Sequence, residues 1–186
     1  MSNQEEWIQK GQLAAANLLP VSAEADSMMQ SLGYSGASDF MLNMAGQETR
    51  YGQTQPGMHS MGVTQIDPVR YNDILQDITR MQTEFPNAQK GYGAHANKIN
   101  KFMRGKGDYY KDFDITRMAE MGQNEVGDMI YTSKSKYAED PLANFMLTRM
   151  LLSKDKVNAI PKGKKAQAKY WKDFWNTDAG DGKISE

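Results

Sequence analysis

The sequence predicts a mainly α-helical protein, and three observations support this fold class. Apolar residues recur at spacings of three and four along most of the chain, and few segments alternate with a period of two. Two Asp-Pro pairs, at Asp67 and Asp140, are typical helix beginnings, because Asp caps a helix and Pro is favoured at its first position. With 39% hydrophobic residues, the 186-residue chain can bury the core of one domain.

The first quarter of the chain is expected to hold three helices. Apolar periodicity predicts a helix over residues 4–19 that ends before Pro20, because proline interrupts helical hydrogen bonding. A second helix is predicted over residues 22–32, with Gly33 as its terminating residue. A third is predicted over residues 38–51, beginning at a serine that can cap it.

The following segment breaks the helical pattern. Glycines, a proline and polar side chains dominate residues 52–66, and Val63 and Ile66 then stand on either side of Gln65. This pattern predicts a short β-hairpin or an extended lip near residues 56–67. The Asp67-Pro68 pair is expected to restart the helical structure directly after it.

The second half of the chain is expected to be helical again. Further helices are predicted at residues 95–104, 115–131, 141–152 and 164–175. The helix at 115–131 is predicted from apolar residues at helical spacing between Ile115 and Ile130. Residues 181–186 are expected to form a flexible tail.

Charge is distributed unevenly although the net charge is only −1. Residues 1–48 hold six acids and one base, whereas residues 154–172 hold seven lysines and one acid. A basic segment can attract polyanions such as nucleic acid or cell-wall polymers. We favour the interpretation that these lysines form the solvated face of a helix, because a dedicated nucleic-acid binder is basic overall. Binding of nucleic acid is therefore not expected.

Several classes of protein and site are disfavoured by the sequence. Without cysteine there is no disulfide framework or thiolate metal site. His59 and His95 lack a metal-ligand spacing, so neither a metal nor a cofactor is expected. No apolar stretch is long enough to span a membrane, and Glu5 and Glu6 stand where a signal peptide would be basic. We therefore expect synthesis in a cytoplasm without a signal peptide.

Glu48 is the residue whose position points most clearly to chemistry. On its predicted helix it shares one face with Met41, Met44 and Ala45, by spacings of three, four and seven. It also lies in the last turn, where the helix dipole disfavours negative charge. Both effects predict a raised pKa, which suits a general acid. The alternative is a glutamate paired with Arg50, Arg70 or a lysine.

Two neighbouring motifs favour the catalytic interpretation. The segment Gly46–Gly52, GQETRYG, is followed by Ser60–Pro68, SMGVTQIDP. Together they resemble the lytic transglycosylase and goose-type lysozyme-like family, in which a Glu before a small hydroxyl residue ends a helix and a Gly-to-Gln segment forms the facing lip. Residues 140–144 resemble the start of a later helix of that family, and residues 160–177 are similar to the ending of its bacteriophage members. The resemblance extends over about residues 37–180.

The sequence departs from the family pattern at three positions. Thr49 stands where serine is usual, and it keeps the hydroxyl group. Thr64 stands where methionine is usual. Trp175-Asn176 stands where the family has a Tyr-Asn pair near the catalytic acid, which leaves Tyr170 and Tyr51 as the candidates for the tyrosine that would orient that acid.

The resemblance implies a domain organisation and a set of roles. It implies a lysozyme-like catalytic domain at residues 35–180, preceded by a helical extension at 1–34. Glu48 would protonate the bridging oxygen of the glycan strand and then act as the base. The substrate-binding residues that it implies are Thr49, Tyr51, Met61, Gly62, Gln65, Tyr170 and Asn176, with Trp175 as a further candidate for an aromatic floor under the sugar rings.

The same resemblance suggests the substrate and leaves several functions open. It implies cleavage of the peptidoglycan strand between N-acetylmuramic acid and N-acetylglucosamine, by a bacteriophage lysis or virion-associated protein. Such a protein would act in the virion or the host cell envelope, and other virion proteins would be its partners.

Inverting hydrolysis needs a second carboxylate, and Asp67, the nearest candidate, is explained by its helix cap. The main alternative is a virion structural protein of the same fold with little or no activity. A binder of anionic polymers that uses residues 154–172 is the third possibility.

Overall fold

The structure is a computed structural model, and it describes residues 3–49, 60–154 and 160–175. Within these ranges the chain is mainly helical and carries one small antiparallel sheet of two strands. The predicted mainly α fold class with a short hairpin is therefore confirmed. None of the helices in the described ranges is both long and apolar enough to cross a bilayer.

The helices and strands of the described residues follow one another in a simple order. The helices are α1 (Asn3–Ser31), α2 (Ser38–Thr49), α3 (Pro68–Glu84), α4 (Tyr92–Arg104), α5 (Pro141–Lys154) and α6 (Lys164–Phe174). The strands are β1 (Ala119–Gln123) and β2 (Met129–Lys134), which pair in antiparallel orientation.

Helix α5 forms the centre of the molecule. Every residue from Leu142 to Leu152 is buried, so this helix has no solvent face over that length. A helix that is buried on all sides needs neighbours on all sides, and α1, α2, α3 and α4 all pack against it. Helix α1 also packs on α2, and α3 packs on α4, so two helix pairs enclose α5.

The expected break at Pro20 is wrong, because α1 runs through it as one helix. An interior proline costs about 3 kcal/mol, since it removes a hydrogen bond and crowds the preceding turn. Here the ring is exposed, and the turns after it bury Ser22, Ala25 and Met29 against the core. Tertiary packing of that face offsets the local cost of the proline.

The helix predicted at residues 115–131 is also wrong, because this segment forms the hairpin. A short 3₁₀ turn at Ile115–Arg117 leads into β1, and the chain returns in β2. Asn124 closes the connection by accepting hydrogen bonds from the backbone N–H groups of Val126 and Asp128. Gly127 adopts a positive φ of 89° there. Turn-forming residues and cross-strand pairing outweigh the apolar spacing that suggested a helix.

The predicted lip corresponds to a tight turn at residues 61–66. The backbones of Met61 and Ile66 exchange two hydrogen bonds, of 2.8 and 2.9 Å, and form an isolated antiparallel bridge. The expected segment began at residue 56, and residues 56–59 lie outside the described part of the chain. Asp67 caps α3 by accepting from the N–H of Arg70, and Pro68 takes the first helical position, so this predicted helix start is confirmed.

Candidate active site

Glu48 lies at the penultimate position of α2, on the face that this helix turns toward the core. Met41, Met44 and Ala45 are fully buried on the same face. The carboxyl itself is only partly buried. The apolar setting predicted from the helical spacing is therefore present around a group that still reaches the surface.

The carboxyl of Glu48 accepts a hydrogen bond from an indole. Trp171 of α6 donates from Nε1 to Oε1 of Glu48 over 2.8 Å. Burial raises the pKa of Glu48 above its ordinary value, while the hydrogen bond from Trp171 and the positive charge of Arg70 act in the opposite direction. Burial is the largest of these effects, so the predicted rise in pKa is confirmed. Arg70 contributes as a nearby charge, and Arg50 lies outside the described residues.

Thr49 connects the end of α2 to the turn at 61–66. Its side chain is fully buried, and its hydroxyl lies 3.0 Å from the carbonyl oxygen of Ala45 and 3.1 Å from that of Val63. The two motifs singled out in the sequence are thus in direct contact. Thr49 itself faces backbone within the protein, where its main effect is to join the helix to the turn.

The turn at 61–66 is anchored on α5. Asn144 donates from Nδ2 to the carbonyl of Met61 and accepts at Oδ1 from the N–H of Thr64. The hydroxyl of Thr64 also contacts Asn144 and Thr148. Gly62 adopts a φ of +70° beneath this network, and a Cβ there would overlap the side-chain amide of Asn144. Met61 and Gly62 are buried beneath these bonds, and the side chains of Asn144 and Thr64 join the turn to α5.

Gln65 is partly buried in the same turn, in a conformation that is unfavourable for its residue type. Its φ is +54°, the one positive value outside glycine among the described residues. Its side-chain oxygen accepts from the hydroxyl of Ser60, whose carbonyl in turn accepts from the ammonium of Lys134. Residues other than glycine that hold a left-handed conformation cluster at functional sites.

Helix α6 and the residue that follows it contact both Glu48 and the turn at 61–66. One turn after Trp171, Trp175 donates from Nε1 to the carbonyl of Thr64 over 3.1 Å. The guanidinium of Arg70 lies 4.6 Å from the centre of the Trp175 ring and donates to its carbonyl over 3.1 Å. One indole N–H therefore fixes Glu48 and the other fixes the turn that carries Gln65.

Of the remaining predicted site residues, two are too buried to offer an open surface to a sugar, and two lie outside the described residues. Tyr170 is buried and packs edge-on against Phe40, with ring centroids 5.3 Å apart, so its ring faces the core. Trp175 is only 9% exposed. Tyr51 and Asn176 lie outside the described residues.

Trp171 is the residue of this site that reasoning from the sequence missed. It is separated from Glu48 by 123 positions. The sequence contained one indication of this contact. Trp171 and Trp175 are four residues apart, so a helix that includes both would place their indoles on one face. Two amphipathic donors on one helix face indicate two buried acceptors opposite them.

The β1–β2 hairpin, which the sequence did not predict at its true position, also contacts the turn at 61–66 and the residue before it. The hydroxyl of Tyr131 in β2 donates to the carbonyl of Ile66 over 3.0 Å. The ammonium of Lys134, at the end of β2, donates to the carbonyl of Ser60 and lies 3.5 Å from a carboxylate oxygen of Glu139. The turn is therefore held by α2, α5, α6 and β2 together.

This arrangement can hold and release one proton. A partly buried carboxyl with a raised pKa stays protonated at higher pH than an exposed one, and it can deliver its proton to a bound leaving group. Asp67 is already engaged by the N–H and the guanidinium of Arg70, the latter at 3.4 Å. Across the described ranges, no group of three or more His, Asp or Glu side chains is arranged to hold a metal ion.

Comparison with known proteins finds no match, whether to a protein-family model, to a curated protein or to a solved structure. The function must therefore be argued from the residues themselves.

Proposed function

We propose that this chain cleaves the glycan strand of peptidoglycan, with Glu48 as the catalytic acid. The observation that carries the proposal is the contact between the two motifs: a partly buried carboxyl at the end of α2, joined through Thr49 to the turn of Gly62 and Gln65. A carboxyl of raised pKa is what protonation of a glycosidic oxygen requires, and the polar turn beside it offers groups that could bind the sugar.

In the proposed reaction, Glu48 donates its proton to the oxygen that bridges N-acetylmuramic acid and N-acetylglucosamine. The bond between this oxygen and the anomeric carbon of the muramic acid residue then breaks. The carboxylate then removes the proton from the C6 hydroxyl of the same muramic acid residue, whose oxygen closes onto the anomeric carbon. The product is a 1,6-anhydro sugar, and no water is consumed. The engagement of Asp67 in capping α3 and pairing with Arg70 favours this route over inverting hydrolysis, which needs a free second carboxylate.

The test compares three proteins on purified cell walls, by zymography and by loss of turbidity. Glu48→Gln is expected to lower the rate by about 10²–10⁴-fold, the usual contribution of a general acid. The amide oxygen can still accept from Trp171, so the fold should be kept. Glu84→Gln, an exposed glutamate at the end of α3, is the matched control and should clear walls as the wild type does. Equal clearing by Glu48→Gln and the wild type, or no clearing by either, would refute the proposal.

Mass analysis of the released fragments distinguishes the two chemistries. Anhydro ends, lighter by one water, indicate transglycosylation, whereas reducing ends indicate hydrolysis. We expect anhydro ends.

A virion structural protein with this architecture is the second candidate. It is favoured by the burial of Thr49, Met61 and Tyr170, which were expected to bind substrate. Such a protein should be present in stoichiometric amounts in purified particles and should leave cell walls intact. A virion role is compatible with a wall-cleaving activity carried by the particle.

A further inference from the structure

The hydrogen bond between Trp171 and Glu48 distinguishes the two oxygens of the carboxyl. An indole N–H is a donor only, so Oε1, which lies 2.8 Å from it, must act as an acceptor in both protonation states of Glu48. In the neutral acid the carbonyl oxygen accepts more strongly than the hydroxyl oxygen, so the donor at Oε1 favours placing the proton on Oε2. A glutamate without such a donor could carry the proton on either oxygen.

The indole is held firmly enough to impose this choice. Trp171 is only 5% exposed. Its helix is fixed one turn later by the hydrogen bond from Trp175 to the carbonyl of Thr64. A tryptophan side chain has two rotatable bonds, so little conformational freedom remains once the ring is packed.

We propose that Trp171 is a positioning residue for Glu48: its N–H holds Oε1, directs the acidic proton on Oε2 to the leaving oxygen, and stabilises the carboxylate that remains after proton transfer. This inference rests on the proposed function for the direction of proton transfer.

The proposal has an electrostatic consequence with a definite sign. A hydrogen bond to a carboxylate is stronger than one to a neutral acid, so the N–H of Trp171 lowers the pKa of Glu48 while burial raises it. The other charged group that acts on Glu48 from the described elements is Arg70 of α3, which also lowers the pKa. Removing the indole N–H leaves burial opposed by Arg70 alone, so the pKa must rise.

The first experiment measures the pKa of Glu48 by carbon-detected NMR in the wild type, Trp171→Phe and Trp175→Phe. Trp171→Phe keeps an aromatic ring but removes the donor, and the pKa of Glu48 should rise by about one unit or more. Trp175→Phe is the matched control, because it removes the neighbouring buried indole donor but keeps the N–H of Trp171, so the pKa of Glu48 should change by less than in Trp171→Phe. Equal pKa values in Trp171→Phe and the wild type would overturn the inference.

A second measurement keeps the test decisive if Trp171→Phe fails to fold. In the wild type, the indole N–H resonance of Trp171 should shift with pH at the same midpoint as the Glu48 carboxyl. In Glu48→Gln that shift should vanish. An indole resonance that does not titrate in the wild type contradicts the inference.

Activity separates this inference from the proposed function. If walls are cleaved, the alkaline limb of the kcat/KM profile should move to higher pH in Trp171→Phe, because the acid keeps its proton to higher pH. Cleavage with an unshifted limb refutes the role of Trp171 and leaves the proposed function intact. Absence of cleavage in every protein refutes the function, while the NMR titrations still decide whether Trp171 sets the protonation of Glu48.

Discussion

At the scale of single residues, Glu48 combines an unfavourable position with a specific partner. Its carboxyl shares a face with Met41 and Met44, where charge is poorly solvated, and one of its oxygens is satisfied by the indole of Trp171. A carboxylate that is only partly compensated costs stability in the folded state. The residue that would do the chemistry is thus also a source of pH-dependent instability.

Replacing Glu48 by Gln should reveal this instability as a function of pH. The folded state raises the pKa of Glu48 above its ordinary value of 4.5, so it binds the proton more tightly than the unfolded state does. Stability is then fullest below about pH 4.5 and declines as pH rises through the folded pKa. Thermal unfolding of Glu48→Gln and the wild type should therefore give similar Tm values at pH 4 and a higher Tm for the variant at pH 8. Glu84→Gln, the same substitution at an exposed position at the end of α3, is the matched control. A Tm difference for Glu48→Gln that is constant across this range would contradict the expectation.

The setting of Glu48 could be predicted from the sequence, but its partner could not. Spacings of three, four and seven within α2 define a helix face by themselves. The contact with Trp171 depends on how α6 docks against α2, which local periodicity does not specify. Gln65 was identified by its motif, whereas its left-handed backbone is a property of the folded turn.

At the scale of elements, the turn at 61–66 depends on one close approach to α5. Gly62 lies directly under the amide of Asn144, and that amide bonds both Met61 and Thr64. The turn therefore cannot carry a larger residue at 62 without losing its anchor. The same anchor keeps Gln65 near the end of α2.

Comparing Gly62→Ala with Gly127→Ala separates this collision from backbone strain. Both glycines have a positive φ, of 70° and 89°, but a Cβ at Gly127 meets nothing within 4 Å among the described residues. Gly127→Ala should lower the free energy of unfolding by about 1 kcal/mol. Gly62→Ala should lower it by about 2–4 kcal/mol, because overlap with Asn144 is added. Urea unfolding measures both, and equal losses would mean that Asn144 moves aside freely.

Each element that the sequence predicted wrongly carries a local signal that other contacts outweigh. Pro20 is a strong local signal for a helix end, and the apolar spacing at 115–131 is a reasonable local signal for a helix. At Pro20 the packing of the following turns of α1 decides the outcome, and α5 is one of the helices they pack against, whereas at 115–131 the pairing of β1 with the adjacent β2 decides it. The helix starts at Asp67 and Asp140 were predictable, because a cap acts on its own helix; Asp140 accepts from the N–H of Ala143 as expected.

At the scale of the whole molecule, α1 has two unlike parts. From Gln9 to Asn17 no side chain is buried. From Leu18 onward the helix buries one side, including Ala25 and Met29, against α2 and α5. Asp26 also accepts from the N–H of Ala37 over 2.7 Å, so α1 fixes the point at which α2 begins.

Truncation tests how much of α1 the fold requires. Removing residues 1–16 should leave the Tm within a few degrees of the wild type, because few buried contacts among the described side chains are lost. Removing residues 1–31 should prevent cooperative unfolding, because it opens the surface of α5. Calorimetry and circular dichroism measure both. A stable 32–186 chain would instead favour the predicted division into an extension at 1–34 and a domain that follows it.

The packing of α1 on α5 also sets the order of events while the chain is being synthesised. More than a hundred residues separate the end of α1 at Ser31 from the end of α5 at Lys154. At about 5–20 residues per second, the apolar side of α1 waits roughly 5–25 seconds for its partner to emerge from the ribosome. During that interval the surplus of acids over bases in residues 1–48, six against one, provides like-charge repulsion between nascent chains. We therefore expect the acidity of the N-terminal part to limit aggregation before the core has formed.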